Sequence, residues 1–244
     1  MTSFSLRYLT ILVFIALLGG CATNDQHIDT TQNEYDKIKK RMDKGEYSAA
    51  AWDLEQFKTK HPYSRLAIQS ELLRIFAAYK GDELILAETL STRFIDSHPR
   101  HLNIDYAKYM LAMTYFKQRG DAKHDPSQNQ QAIDAFNRLI NEHPDSSYAK
   151  DGKSRLQSLY NSLASHELHV GKLYYDRDLF VAAANRFQEV VKRYQTSPAI
   201  EEALYYLAST YEKMGMKKDA RQSAMLLQHN HPKSSWSRKA ARFL

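Results

Sequence analysis

Two short stretches hold the side chains best suited to reaction or ligation: Cys21, preceded by Leu18-Gly19-Gly20, and His166-Glu167-Leu168-His169. Cys21 is the only cysteine in 244 residues, so it has no internal disulfide partner. Leu-Gly-Gly-Cys has the form of a bacterial lipobox, in which small residues let a peptidase reach the bond before a thiol already carrying diacylglycerol. The chemistry expected at Cys21 is therefore acylation. An S-diacylglycerol and an N-acyl chain together hold a bilayer far more firmly than one chain does. The histidine pair invites a zinc reading, but a zincin places its histidines four apart around the glutamate, and here they are three apart. His166 and His169 read instead as solvated or packing residues. With no Gly-x-Ser-x-Gly elbow, no Gly-x-Gly phosphate cradle and no second cysteine, the chain is expected to have no catalytic site, no metal and no cofactor beyond the lipid on Cys21.

What precedes Cys21 reads as a secretory signal covering residues 1–20, with Arg7 ahead of an apolar run from Leu9 to Leu18. That run is half the roughly 20 residues a membrane-spanning helix needs. Ala22 follows the cysteine, not an aspartate; under the enterobacterial sorting rule this sends a lipoprotein to the outer membrane, here to its periplasmic face. Residues 21–31 are polar and aperiodic, the composition of a tether. Without the signal the chain carries 33 Lys and Arg against 28 Asp and Glu, a net +5. Such a balance suits anionic lipid or nucleic acid, and export from the cytoplasm sets nucleic acid aside.

The remainder, residues 32–244, repeats itself. His-Pro occurs at His61-Pro62, His98-Pro99, His143-Pro144 and His231-Pro232, and twelve residues before each proline stands Ala50, Ala87, Ala132 or Ala220. A fifth copy keeps Ala183 at the same distance from Gln195, without the proline. Four and seven residues after each alanine come Leu54 and Phe57, Ser91 and Phe94, Phe136 and Leu139, Phe187 and Val190, Ala224 and Leu227, which share one helical face. Five residues before each alanine is a turn residue: Gly45, Asp82, Ser127, Asp178 or Gly215. This layout is that of the tetratricopeptide repeat. The fold expected is an all-α solenoid of five helix pairs, about 32–62, 63–99, 102–144, 147–195 and 198–232, with a cap at 233–244. The alanine intervals of 37, 45, 51 and 37 exceed the usual 34. The longest is expected to hold one central helix from about Ser147 to Tyr175, crossed by Gly152 and Gly171 and coupling the two halves. Tyr106, Tyr109, Tyr115, Tyr174, Tyr175, Tyr205, Tyr206 and Tyr211 fall on first helices, which line the concave side of such solenoids; about half should be core and half available to grip polypeptides. The His-Pro histidines read as helix C-terminal residues beside the last carbonyls.

Three segments resemble one family in particular. They are Asn103-Ile104-Asp105-Tyr106-x-x-Tyr109-Met110, then His143-Pro144-Asp145-Ser146-Ser147-Tyr148, and Tyr174-Tyr175-Asp176-Arg177 continuing to Asn185-Arg186. With the lipobox and repeats they make the whole chain similar to the BamD (ComL) lipoproteins of the outer-membrane β-barrel assembly (Bam) complex. That resemblance implies a non-catalytic scaffold that binds BamA, other Bam lipoproteins and unfolded outer-membrane proteins. It assigns Arg186 and its neighbour Asn185 to docking on a soluble domain of BamA, through a salt bridge from Arg186, and Tyr63, Ser64, Asp105 and Tyr106 to client binding. The segment Gln118 to His124 is shorter than in some relatives, and the turn at Pro62-Tyr63 is contracted, so contacts made by those loops do not carry over. The alternative is a generic periplasmic repeat lipoprotein that scaffolds envelope or peptidoglycan enzymes.

Overall fold

A computed structural model describes residues 30–118 and 127–244, so the signal, Cys21 and most of the tether lie outside the described residues. The chain runs through α1 (Thr30–Asp43), α2 (Tyr47–Lys60), α3 (Ala67–Lys80), α4 (Leu84–Ser97), α5 (Ile104–Gln118), α6 (Ser127–Glu142) and α7 (Ser147–Tyr175). It continues through α8 (Phe180–Arg193), α9 (Ile200–Lys213), α10 (Lys217–Asn230) and α11 (Ser235–Ala240), ending in a 3-10 turn at Ala241–Phe243. No strand occurs among the described residues. Helix α1 starts at Thr30, which moves Thr30 and Thr31 from the expected tether into the first hairpin.

Each helix packs on its neighbours in sequence, and first helices also touch first helices: α3 with α5, α5 with α7, α7 with α9. That pattern is a one-dimensional stack of five hairpins closed by α11. Its seams are the positions that recur in the sequence. All five anchor alanines are fully buried, and the side chains four and seven residues further, Phe57, Phe94, Phe136, Phe187 and Leu227 among them, are at most 1% exposed. A larger residue in place of any of these alanines would push two helices apart.

The turns inside the hairpins share one geometry. Gly45, Asp82, Asp178 and Gly215 have φ of 81°, 65°, 58° and 76°. In each case the next amide reaches back five residues, Glu46 to Arg41 O (3.2 Å), Glu83 to Ala78 O (2.9 Å), Leu179 to Tyr174 O (3.0 Å) and Met216 to Tyr211 O (2.9 Å). These are Schellman closures, which need a left-handed residue and so favour glycine or a short polar side chain. Ser127 departs from the expected turn: α6 begins five residues before its alanine where the other second helices begin three before, so Ser127 is already helical.

Second helices also end alike. His61, His98 and His231 leave the helix at φ of −125°, −129° and −133°, with the amide still bonded to the carbonyl four residues back. A following proline disfavours the α region for the residue before it, and the three histidines share one bent geometry with ψ of 52° to 56°. Tyr194 adopts it too (φ −127°) without a proline, so packing alone suffices in the fourth repeat.

The central helix α7 spans 29 residues, Ser147 to Tyr175, as the spacing indicates. It serves two hairpins. A Cβ on Gly152 would lie 3.2 Å from the ring of Phe136 in α6, and one on Gly171 would lie 2.5 Å from the ring of Phe187 in α8. The two contacts stand 19 residues, about 28 Å, apart on one rod. The extra length of the longest repeat is therefore helix, and it joins the third repeat to the fourth.

Candidate functional site

Asn185 and Arg186 sit on the exposed side of α8, whose other side buries Ala183, Phe187 and Val190. Arg186 Nη1 donates to both oxygens of Glu167 on α7, at 3.0 Å to Oε2 and 3.4 Å to Oε1. The Glu167 hydrogen bond, with the attraction of that carboxylate, raises the Arg186 pKa above its ordinary value. Glu167 is the more covered partner, 17% exposed against 44% for Arg186. A cleft of about 340 Å³ opens here, lined by Glu167, Tyr174, Ala182, Asn185, Arg186 and Glu189. The arrangement presents a planar, oriented cation at the edge of an open cleft, suited to meeting a carboxylate or a carbonyl. Glu167 is also the glutamate between His166 and His169, and it is committed to the arginine.

The four residues assigned to clients lie on two successive inter-repeat joints. Tyr63 and Ser64 are in the α2–α3 turn, and Asp105 and Tyr106 open α5. Among the described residues no hydrogen bond, ion pair or ring contact links the two pairs. Tyr63 is 100% exposed. Ser64 Oγ accepts the Leu66 amide at 3.1 Å, stabilising its own turn. Tyr106 is half-buried, and burial raises its phenol pKa well above the usual value.

Asp105 accepts the hydroxyl of Ser146 at 2.6 Å, and Ser146 Oγ in turn accepts the Tyr148 amide at 3.1 Å. The Tyr148 ring stands 5.3 Å from that of Tyr106 and 5.1 Å from that of Tyr109, whose hydroxyl donates to Asp151 at 2.7 Å. The first two segments that carry the resemblance therefore meet face to face, across one joint between repeats. The same joint recurs at the far end. Ser234 donates to Glu201 at 2.6 Å and accepts the Trp236 amide at 3.1 Å, while Trp236 packs 5.1 Å from Tyr205 and 6.0 Å from Tyr206. A signal for it was in the sequence: His143-Pro144-x-Ser146-Ser147-Tyr148 and His231-Pro232-x-Ser234-Ser235-Trp236 have the same layout.

The tyrosines of the first helices do not divide into a core set and a free set; all eight are half-buried. Their hydroxyls brace neighbouring helices, Tyr175 to Ser209 at 2.7 Å and Tyr115 to Glu88 at 3.3 Å. The His-Pro histidines likewise bond across the hairpin instead of to their own helix ends. His61 meets Glu34 at 3.0 Å, His98 meets Glu71 at 3.4 Å and His231 meets Glu201 at 3.3 Å, while His143 lies 2.9 Å from Lys108.

Comparison with known proteins covers this whole assembly. The family model YfiO, described as outer membrane lipoprotein, matches residues 28–226, from the approach to α1 into α10. The chain is 30% identical over 237 residues to the outer membrane protein assembly factor BamD of Rickettsia prowazekii, covering 96% of this chain and 94% of that one. It is 32% identical over 244 residues to the protein of the same name from Neisseria meningitidis serogroup A (93% and 91%) and 28% identical over 239 residues to that of Vibrio cholerae (92% and 99%). Among solved structures, the TPR2AB domain of yeast Sti1 superposes with a TM-score of 0.45 at 14% identity, covering 87% of this chain and 81% of that one.

Proposed function

Because the chain belongs to the YfiO family of outer membrane lipoproteins, we propose that it is an outer-membrane protein assembly factor, the role for which its relatives are named. It works by holding polypeptides, without a catalytic step of its own. Acyl chains on Cys21 anchor it to the periplasmic face of the outer membrane. The C-terminal half docks on a soluble domain of BamA through Arg186 and Asn185, and the N-terminal joints receive unfolded barrel proteins through Tyr63, Ser64, Asp105 and Tyr106. Other Bam lipoproteins share the remaining surface. The observation that carries this reading is the exposed Arg186–Asn185 edge over an open cleft, held by Glu167 on the helix that couples both halves. A rigid stack with two separate surfaces can hold two polypeptides at once. The rival reading, a generic envelope scaffold, draws no support from relatives that are assembly factors over nearly their full length.

Co-purification from detergent-solubilised membranes tests the proposal. The intact lipoprotein is expected to bring BamA with it. Arg186→Glu places a second carboxylate beside Glu167 and is expected to cut BamA recovery at least tenfold, with far-UV circular dichroism unchanged. Undiminished recovery of BamA by that variant would remove Arg186 from the interface, and absence of BamA with the unaltered chain would overturn the assignment.

A further inference from the structure

Charge is spread unevenly along the chain. Residues 213–244 hold 8 Lys and Arg against one acid, Asp219, a net of +7; the whole chain carries +6, so the first 212 residues stand at −1. All eight cations are exposed, and among the described residues none forms an ion pair. Elsewhere Arg41, Lys58, Lys60, Lys172 and Arg193 each have a carboxylate within 3.0 Å. Lys217, Lys218 and Arg221 share an exposed side of α10 with Met225, which is 53% exposed, and Leu226 beside it is 42% exposed. Lys217 and Lys218 open the helix, where the backbone dipole is already positive and Asp219 is the one carboxylate of the first turn, so two cations there are balanced by a single acid. Past the turn at Lys233 the cations continue onto α11, where Lys239 lies 4.1 Å over the ring of Trp236.

We propose that this basic end binds an anionic phospholipid surface. Interfaces between proteins favour arginine and aromatic anchors and are depleted in lysine. Here five of the eight cations are lysines, and the apolar side chains exposed among them are Met and Leu. Such a helix face settles at a headgroup layer, with its ammonium groups on phosphates and its apolar side chains at the acyl boundary. Helix α10 offers a contact about 21 Å long. With α11 it forms the end of the stack opposite α1, so a chain engaged both here and through the proposed anchor at Cys21 lies along the bilayer instead of standing away from it.

Vesicle co-sedimentation of the mature chain carrying Cys21→Ser, and hence unacylated, tests this separately from the assembly role. Phosphatidylcholine vesicles with and without one quarter phosphatidylglycerol are the probe. Binding is expected only to the anionic vesicles and is expected to fall away in 0.5 M salt. Reversing Lys217, Lys218 and Arg221 together to Glu should weaken it roughly 100-fold or more, with circular dichroism unchanged. The matched reversal of exposed Lys37, Lys39 and Lys40 on α1 should leave most of it. Indifference of the unaltered chain to phosphatidylglycerol, or equal loss in both triple variants, overturns the proposal. So does retention on immobilised polyglutamate that needs Lys217, Lys218 and Arg221 while vesicles are ignored, which would make this end a site for an acidic polypeptide.

Discussion

Asp105 carries two demands at once. The resemblance gives it to clients, while its carboxylate takes the Ser146 hydroxyl and so fastens the entry of α7 to the start of α5. Ser146 also caps α7 through the Tyr148 amide. Deleting that hydroxyl removes both bonds and leaves a carboxylate facing an unfilled position. Ser146→Ala is therefore expected to lower the unfolding free energy by about 1–2 kcal/mol, within the range for lost caps. Asp105→Asn keeps an acceptor and should cost less than about 1 kcal/mol; urea denaturation of the two variants side by side checks the order. An Asp105→Asn loss larger than the Ser146→Ala loss would show that the charge, and not the bond, holds the joint.

At the scale of elements, the repeats were legible because each anchor alanine, its partners four and seven residues on, and its left-handed turn obey one local period. Gly45 and Gly215 announce a positive φ by residue type alone; Asp82 and Asp178 announce it only through their phase with the alanines. Ser127 had that phase and no such turn, since a helix start can slide by two residues without disturbing the buried face. Pairs such as Asp105 with Ser146, 41 residues apart, or Arg186 with Glu167 depend on how hairpins stack, which no local period encodes. Gly171 shows the same limit. In sequence it reads as a weak point of α7, worth about 1 kcal/mol of helix propensity against alanine. In the fold it is where the fully buried ring of Phe187 rests, and an added Cβ would meet three ring atoms at 2.5, 2.8 and 3.0 Å. Overpacking of this kind costs about 1–3 kcal/mol, so Gly171→Ala should destabilise despite its better propensity. Gly152→Ala, with its nearest ring atom at 3.2 Å, should be closer to neutral. Urea midpoints measure both, and adding Phe187→Leu should recover part of the Gly171→Ala loss by withdrawing the ring.

For the whole molecule the question is whether five stacked hairpins behave as one body. Repeats in a solenoid exchange energy only with their neighbours, so cooperativity passes through each interface in turn. Here the third and fourth repeats share one rod: α7 packs on α6 and α5 through its first half and on α8 and α9 through its second. Bending that rod should separate the halves without emptying either core. Ser162 lies near its middle and is half-buried. Proline there removes one helical hydrogen bond and collides with the carbonyl four residues back, at a cost of about 3 kcal/mol or more. The two tryptophans stand at opposite ends, Trp52 on α2 and Trp236 on α11. In a Trp52→Phe background, fluorescence therefore follows the C-terminal half alone while far-UV circular dichroism follows both. The two urea transitions should coincide in that background, as one cooperative body requires, and should part when Ser162→Pro is added. Transitions that stay together with the proline in place would mean that the halves are coupled by something other than the continuity of α7, and docking at one end could then not be relayed along this helix to the other.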